Sequence, residues 1–306
     1  MQHQVASRRA TRKQRRARRR RFSMMTVGVL VPSVAFGVAL YFTQAGTSTS
    51  AQRRGEAVRT TTTLAPTTTT TTLIGNHFTN TIPAFINAGP TDRPQVAITI
   101  DDIFGADQAK QLAQVLDIAK AKNVHLTLFP TGWAISDHMA AGLQDVWQRA
   151  VLEGHEIGNH TNSHRQPTSL NDAQLRDEIT TAQGQLSQAL GPQYAYQERL
   201  FRPPGGAGGS NGGDPRIMAV LKSMGYSMAM WSIDSNGTTG FDSYLNKVVS
   251  QARNGSIILI HFTTFSPANV ATLIDRLRNE RHLEPVTMSQ LFATPDPGSS
   301  PVTASN

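Results

Sequence analysis

The chain has 306 residues, no cysteine and a formal net charge of +8, with 29 basic and 21 acidic residues. The lack of cysteine excludes disulfides and thiolate metal sites, so a folded domain must be held together by its core. The charge alone would suggest a nucleic-acid-binding protein. However, ten of the basic residues lie between Arg8 and Arg21, and the remainder carries 19 basic and 21 acidic residues. We therefore expect no nucleic-acid partner.

The segment after the basic residues is uncharged from residue 22 to residue 42 and rich in Val, Met, Leu and Ala. A helix needs ~20 apolar residues to cross a bilayer, and basic residues before a span keep that end in the cytoplasm. We predict a cytoplasmic tail over residues 1–22, a single membrane anchor over residues 23–43 and an extracytoplasmic remainder. A small-residue cleavage site near Ala45 gives the alternative, a signal peptide and a secreted protein.

Two further segments have too few apolar residues to fold. Residues 44–75 contain two threonine runs and are predicted to be a disordered linker. Residues 294–306 are predicted to be a disordered tail. The folded domain should therefore occupy residues 76–293.

Strand and helix patterns alternate through that domain. In chain order, strands are predicted at residues 96–100, 124–129, 156–158, 200–201, 227–231 and 256–260. Helices are predicted at residues 106–122, 136–152, 170–190, 217–221, 244–249 and 269–280, with Ser136 capping the second and Ser169 and Asp172 forming a capping box on the third. This alternation indicates an α/β fold of parallel strands. It favours a (β/α) barrel of about seven strands, although an open sheet has the same pattern.

Ionisable residues follow the predicted strands directly. One such residue could simply cap the next helix. Five positions of this kind at the carboxyl ends of parallel strands would meet at one rim, where barrels place their active sites. The positions are Asp101–Asp102, His160, Arg202, Asp234 and His261. We interpret them as one shared site.

The pair His160 and His164 suggests a metal site. Two histidines four residues apart can face the same way, and a carboxylate from a distant strand would complete a two-histidine, one-carboxylate set. Three protein ligands leave a position open for water, as in catalytic zinc sites. The same set can also hold iron in oxygenases. We disfavour iron because an exported site has no ready reductant.

Five short motifs follow one another along the chain. They are Thr99–Asp102, His160–His164, Arg202–Gly206, Trp231–Asp234 and Leu259–His261. In this order they resemble the motifs of the polysaccharide deacetylases of carbohydrate esterase family 4, which contain the NodB homology domain. The resemblance covers residues 94–290 and implies a distorted, NodB-like (β/α) barrel.

The resemblance implies a set of ligands and a general base. Asp102, His160 and His164 would hold a divalent metal, most plausibly Zn²⁺. Asp101 would be the general base. Arg202 would steady Asp101.

The resemblance also implies roles for the groups around the substrate. The backbone N–H of Gly205 would stabilise the oxyanion, and His261 would be the general acid. Asp234 would orient partners in the site, and Leu259 would line the slot for the acetyl methyl group.

Three departures from the family pattern affect the substrate groove. The first motif continues with Ile103 and Phe104 instead of Gly-Pro, Gly205 stands where an aromatic residue is common, and Ser235–Thr238 replaces a tryptophan. The expected substrate is an extracytoplasmic N-acetylated polysaccharide, such as peptidoglycan or another N-acetylglucosamine polymer. The alternatives are an O-acetyl esterase acting on xylan-type glycans and a non-catalytic glycan-binding domain.

Overall fold

The computed structural model describes residues 81–293. The predicted tail, anchor, linker and C-terminal tail, at residues 1–22, 23–43, 44–75 and 294–306, lie outside the described residues. Within the described range, no helix has the length and apolar character needed to cross a membrane.

The described strands form two sheets in which every pairing is parallel. The larger sheet has the order β4-β3-β2-β7, with β8 also paired to β2, and the smaller sheet has the order β1-β6-β5. The strands are β1 (Phe85–Ile86), β2 (Gln95–Asp102), β3 (Thr127–Pro130), β4 (Glu156–Ile157), β5 (Leu200–Phe201), β6 (Ser227–Ala229), β7 (Ile257–His261) and β8 (Glu284–Val286).

Two isolated parallel bridges connect the sheets. One joins Asn159 to Phe201, and the other joins Ile233 to Ile258. The predicted α/β fold with parallel strands is confirmed. The closed barrel of about seven strands stays a prediction, because the described strands form two sheets joined only by these bridges.

Eight α-helices connect or flank the strands within residues 81–293. They are α1 (Gly105–Lys122), α2 (Gly132–Ala140), α3 (Asp145–Leu152), α4 (Asp172–Leu190), α5 (Pro215–Ser223), α6 (Phe241–Gln251), α7 (Pro267–Arg281) and α8 (Met288–Leu291).

The predicted helix over residues 136–152 is wrong, because it is two helices. Thr131 caps α2 by accepting a hydrogen bond from the backbone N–H of Ala134, so Ser136 lies inside the helix. The chain then turns through Gly142, which has a φ of +70°. That conformation favours glycine and interrupts the helical path.

The capping box predicted for the third helix is also wrong. Asn171 and Gln174 form it, each accepting a hydrogen bond from the other's backbone N–H. Ser169 instead ends a short 3₁₀ helix. Residues 169–174 contain two overlapping pairs of polar residues with capping-box spacing, and the pair that was predicted is not the one that forms the box.

Strand β2 places the site because its side chains alternate between two environments. Val96, Ile98 and Ile100 belong to the main core, which contains apolar residues of helices α1, α3 and α7. Thr99 and Asp101 have the opposite parity and therefore face the other side of the sheet. On that side Ala97 packs among Phe129, Leu200, Ala229 and Met288.

Candidate active site

The predicted site residues converge at the carboxyl ends of the strands. One cavity is lined by Asp101, Asp102, His160, His164, Gly205, Trp231, Asp234, Ser235, Asn236, Leu259 and His261. Each predicted site residue lines this cavity except Arg202, which lies buried in contact with Asp101. These residues are up to 160 positions apart in the sequence, and the parallel sheet brings them together at one end.

Arg202 is fully buried, and all three nitrogens of its guanidinium group donate hydrogen bonds. Its Nη1 donates to Asp101 Oδ1 at 2.7 Å and to Thr99 Oγ1 at 2.6 Å. Its other donors reach the carbonyls of Ala229 and Met230 and the sulfur of Met288. All five N–H groups of an arginine can thus be paired. Burial lowers the pKa of Arg202, and the charge of Asp101 opposes that shift.

The neighbours of Asp101 are set by strand register. Asp101 is opposite His261 of β7 on one side and Phe129 of β3 on the other. The Phe129 ring lies under the guanidinium of Arg202, with its centroid 4.1 Å from the central carbon. Asp101 is therefore buried at the cavity wall and held there by one cation, and the predicted contact between Arg202 and Asp101 is present.

Asp102 turns away from Asp101 because the strand ends there. Its φ of +71° is left-handed, and Ile103 follows at +58°. Its Oδ1 lies 3.3 Å from Nε2 of His160 and 3.1 Å from Nε2 of His164. Burial alone would raise the pKa of Asp102, but His160 and His164, when protonated, hold the pKa well below its ordinary value through hydrogen bonds and positive charge.

The orientation of His160 fits a metal ligand. Its Nδ1 lies 2.8 Å from the carbonyl of Arg202, and a carbonyl can only accept, so Nδ1 carries the proton. When the ring is neutral, the other nitrogen, Nε2, carries a lone pair and faces Asp102 Oδ1, which is buried without a hydrogen-bond partner. A backbone carbonyl that accepts a hydrogen bond from the other ring nitrogen commonly orients a metal-binding histidine.

A cation would relieve the repulsion between these two acceptors. One ligand atom from each of Asp102, His160 and His164 can be chosen so that all three lie within 4.8 Å of one another. The nitrogen and oxygen donors fit a divalent metal such as zinc. The residues present therefore fit the predicted metal site.

The loop that carries the two histidines is held by a glutamate from helix α4. Glu178 is buried, and its two oxygens accept hydrogen bonds from the backbone N–H and the hydroxyl of Ser163. Thr161 and His164 have left-handed φ values of +62° and +59°, which cost energy for residues other than glycine. Glu178 thus stabilises a strained loop.

A second buried glutamate supports the start of the same loop. Glu198 accepts hydrogen bonds from the Asn159 side-chain amide and the Tyr226 hydroxyl, both at 2.9 Å. The carbonyl oxygen of the Asn159 side chain accepts from the N–H of Thr161. Asn159 immediately precedes His160, so Glu198 fixes the position from which the first histidine projects.

Helix α2 completes the support of the loop. Its first two N–H groups, from Gly132 and Trp133, donate to the carbonyls of Thr161 and Asn162 at 3.0 and 2.9 Å. A Cβ at Gly132 would lie 2.4 Å from the side chain of Asn162, so only glycine permits this approach. Sequence reasoning missed Glu178, Glu198 and Gly132, and no motif marked them.

Asp234 lines the cavity and organises the loop after β6. It accepts hydrogen bonds from the Trp231 indole at 3.0 Å and from the backbone N–H of Asn236 at 3.0 Å. Lys247 of α6, also missed from the sequence, lies 3.3 Å from its Oδ1. Burial would raise the pKa of Asp234, but these three partners lower it.

The remaining predicted residues lie around the same cavity. His261 is partly exposed, with Nε2 4.0 Å from Asp102 Oδ2. Leu259 is buried at the cavity wall. Gly205 has a left-handed φ of +62° and is followed by Gly206 at +69°. An aromatic residue at position 205 would be strained in this backbone.

Comparison with known proteins places these residues in a family context. Residues 88–229 match the sequence model described as polysaccharide deacetylase. A peptidoglycan-N-acetylglucosamine deacetylase of Bacillus cereus is 28% identical over 56% of this chain and 74% of its own length.

Solved structures give the same result for the fold. A family 4 carbohydrate esterase from Bacillus anthracis is 27% identical, with a TM-score of 0.51 over 68% of this chain and 86% of that one. A CE4 family pseudoenzyme from Bacillus anthracis has a TM-score of 0.59 over 70% of each chain. At 22% identity, the second comparison supports the fold alone.

Proposed function

Because this chain belongs to the polysaccharide deacetylase family, we propose that it is a metal-dependent hydrolase that removes N-acetyl groups from a glycan. The proposed substrate is a polymer containing N-acetylglucosamine, with peptidoglycan first. One observation carries the proposal. Nε2 of His160 faces Oδ1 of Asp102, 3.3 Å away, beside a second carboxylate, Asp101, that is fixed by Arg202.

The metal would be held by Asp102, His160 and His164, and we propose zinc. A bound divalent metal supplies a lowered pKa for water and a polarised substrate carbonyl. Other residues of the chain hold these ligands in position. The carbonyl of Arg202 fixes the ring of His160, and Glu178 holds the loop that carries His164.

Asp101 would act as the general base. Its Oδ1 is occupied by Arg202 at 2.7 Å, so Oδ2 is the oxygen that would take the proton as the water oxygen attacks the acetyl carbon. A fixed base in hydrogen-bond reach contributes ~10²–10⁴-fold to a rate. The backbone N–H of Gly205 would stabilise the charge that develops on the carbonyl oxygen.

His261 would act as the general acid. It would give a proton to the amide nitrogen as the carbon–nitrogen bond breaks, which releases acetate and a free amine. Leu259 would receive the acetyl methyl group. Asp234 would keep Trp231 and the adjoining loop in place, because it accepts hydrogen bonds from both.

The location of the domain is part of the proposal. The basic residues 1–22 and the uncharged residues 22–42 support a membrane anchor with the catalytic domain on the extracytoplasmic side. A protease added to intact cells should remove the domain if it lies outside. Complete protection in intact cells, with cleavage after lysis, would reject the external location.

Acetate release tests the activity directly. The purified full-length chain is incubated with peptidoglycan and with chitin oligomers, with chelator and then with added zinc. We expect release that chelator abolishes, zinc restores and Asp101→Asn removes. Asp107→Asn, an exposed acid on α1, is the matched control. Release only from O-acetylated xylan would assign the esterase alternative, and glycan binding without release would assign the binding domain.

A further inference from the structure

Large apolar side chains are exposed at three positions among the described residues. They are Phe104, Trp133 and Leu152, with 40%, 57% and 57% of their surface exposed. Leu152 ends α3 shortly before β4 begins, at the edge of the sheet away from the site. Phe104 contacts the His164 ring, and the backbone of Trp133 bonds to Asn162 in the loop between the two histidines. Exposed apolar groups that cluster beside a cavity commonly mark a binding surface.

Phe104 packs against His164, one of the residues that line the cavity. Its ring is edge-on to the His164 ring, with centroids 5.5 Å apart and planes at 89°. The left-handed backbone at Asp102 and Ile103 buries Ile103 in the core and turns Phe104 outward. The side chain of Gln108 accepts the Phe104 N–H at 2.8 Å. The exposed ring is therefore held by a fixed backbone.

Trp133 is attached to the same loop from the other side. It lies in the first turn of α2, and its N–H donates to the carbonyl of Asn162 at 2.9 Å. Asn162 is between the two histidines in sequence. The backbone of both aromatic residues is thus hydrogen-bonded next to the proposed metal ligands, which fixes where each side chain begins.

We propose that Phe104 and Trp133 form a sugar-binding subsite for the pyranose rings next to the acetylated residue of a glycan. A pyranose ring has an apolar C–H face that stacks on a flat aromatic ring, while its hydroxyls stay in water. The subsite would compensate for the groove positions at Gly205 and Ser235–Thr238 that lack aromatic residues. This inference rests on the proposed function for the identity of the ligand.

The experiment compares Phe104→Ala and Trp133→Ala with Leu152→Ala as the matched control. Substrates are the dimer and the hexamer of N-acetylglucosamine. Each aromatic variant should raise KM for the hexamer about tenfold, the effect of ~1.4 kcal/mol of lost binding. The dimer reaches fewer subsites, so its KM should rise less. Phe104→Leu keeps apolar bulk against His164 but removes the flat ring, and it should behave like Phe104→Ala.

Binding is also measured in an Asp101→Asn background, so that the test does not depend on turnover. Titration with the hexamer should give a Kd about tenfold higher when Phe104 or Trp133 is alanine. If the protein releases no acetate from any glycan, the proposed activity fails, yet this loss of binding would still support the subsite. If both aromatic variants match Leu152→Ala in KM and Kd while acetate is released, the subsite is rejected.

Discussion

The backbone carbonyl of Arg202 lies 2.8 Å from Nδ1 of His160, so one residue connects both halves of the site. Its carbonyl orients His160, a proposed metal ligand, while its guanidinium holds Asp101, the proposed base, at 2.7 Å. The positions of the proposed ligand and of the proposed base are therefore coupled through a single buried side chain and its own backbone. A change at position 202 should affect both.

We expect Arg202→Lys to destabilise the protein by ~1–3 kcal/mol, the usual cost of leaving a buried polar group without its hydrogen bond. A lysine has three donors and cannot replace the five-donor arrangement, so Asp101 and buried carbonyls lose partners. Urea denaturation measures the change. Arg216→Lys is the control, because Arg216 makes an exposed ion pair with Asp172. Equal stability of the two variants would contradict the role given to Arg202.

Asp101→Asn should remove the proposed base while leaving the proposed metal site intact. The three proposed ligands do not include Asp101, so the variant should bind zinc in the same ratio as the wild type. Acetate release should fall by ~10²–10⁴-fold, the range for loss of a general base. Zinc content and initial rate are measured on the same preparation. Loss of zinc together with activity would assign Asp101 to the metal instead.

Glu178→Ala should weaken zinc binding without removing any ligand. Ser163 would lose both of its bonds to the carboxylate, and the strained loop that carries His164 would relax. Loss of a partner behind a ligand typically costs 10–100-fold in metal affinity. Competition with a chromogenic chelator measures the Kd. Asp177→Ala is the control, since Asp177 is the exposed neighbour on the same helix, and an equal effect there would exclude a specific role for Glu178.

Glu198 should make stability depend on pH. Burial raises its pKa to about 7, from 4.5 when unpaired, although Asn159 and Tyr226 oppose the shift. Between pH 4.5 and 7 the unfolded chain releases this proton while the folded protein keeps it. The contribution of Glu198 to the free energy of unfolding is therefore fully present below pH 4.5 and is lost by about pH 7. The change is ~3 kcal/mol.

Glu198→Gln should make the loss of stability between pH 4.5 and 7 smaller. Thermal unfolding at several pH values in that range measures the loss. Burial also raises the pKa of Glu156, so the slope should become smaller without vanishing. Glu284→Gln is the exposed control. An unchanged slope in Glu198→Gln would show that Glu198 is already ionised in the folded protein.

Strand ends were the part of the fold that the sequence predicted well. A short apolar run followed by a charged residue marks a buried parallel strand and its carboxyl end, and this placed Asp101, Arg202 and His261 at one rim. The pairing of Asp101 with His261 across β2 and β7 follows from the register. The sequence pattern marks the strands but not how they are aligned with each other. It therefore predicted that these residues lie at the same rim, but not which of them are in contact.

The support of the histidine loop could not be predicted. Glu178 lies one position before Ile179 on the apolar face of α4, and in sequence it looks like an ordinary helical acid. Its burial depends on a partner 15 residues earlier, and that of Glu198 on one 39 residues earlier. The split between α2 and α3 was missed because apolar spacing continues through both helices, and only the conformation of Gly142 reveals the break.

The central position of β2 has a consequence for how the site comes into being. Its neighbours β7 and β8 begin at Ile257 and Glu284, more than 150 residues later in the chain. Contacts of such long sequence separation form slowly and late in folding. During synthesis, Asp101 exists long before His261, and Met288, which contacts Arg202, is made later still. The proposed metal ligands are all present once His164 has been made, so they precede the proposed acid, His261, by almost a hundred residues of growing chain.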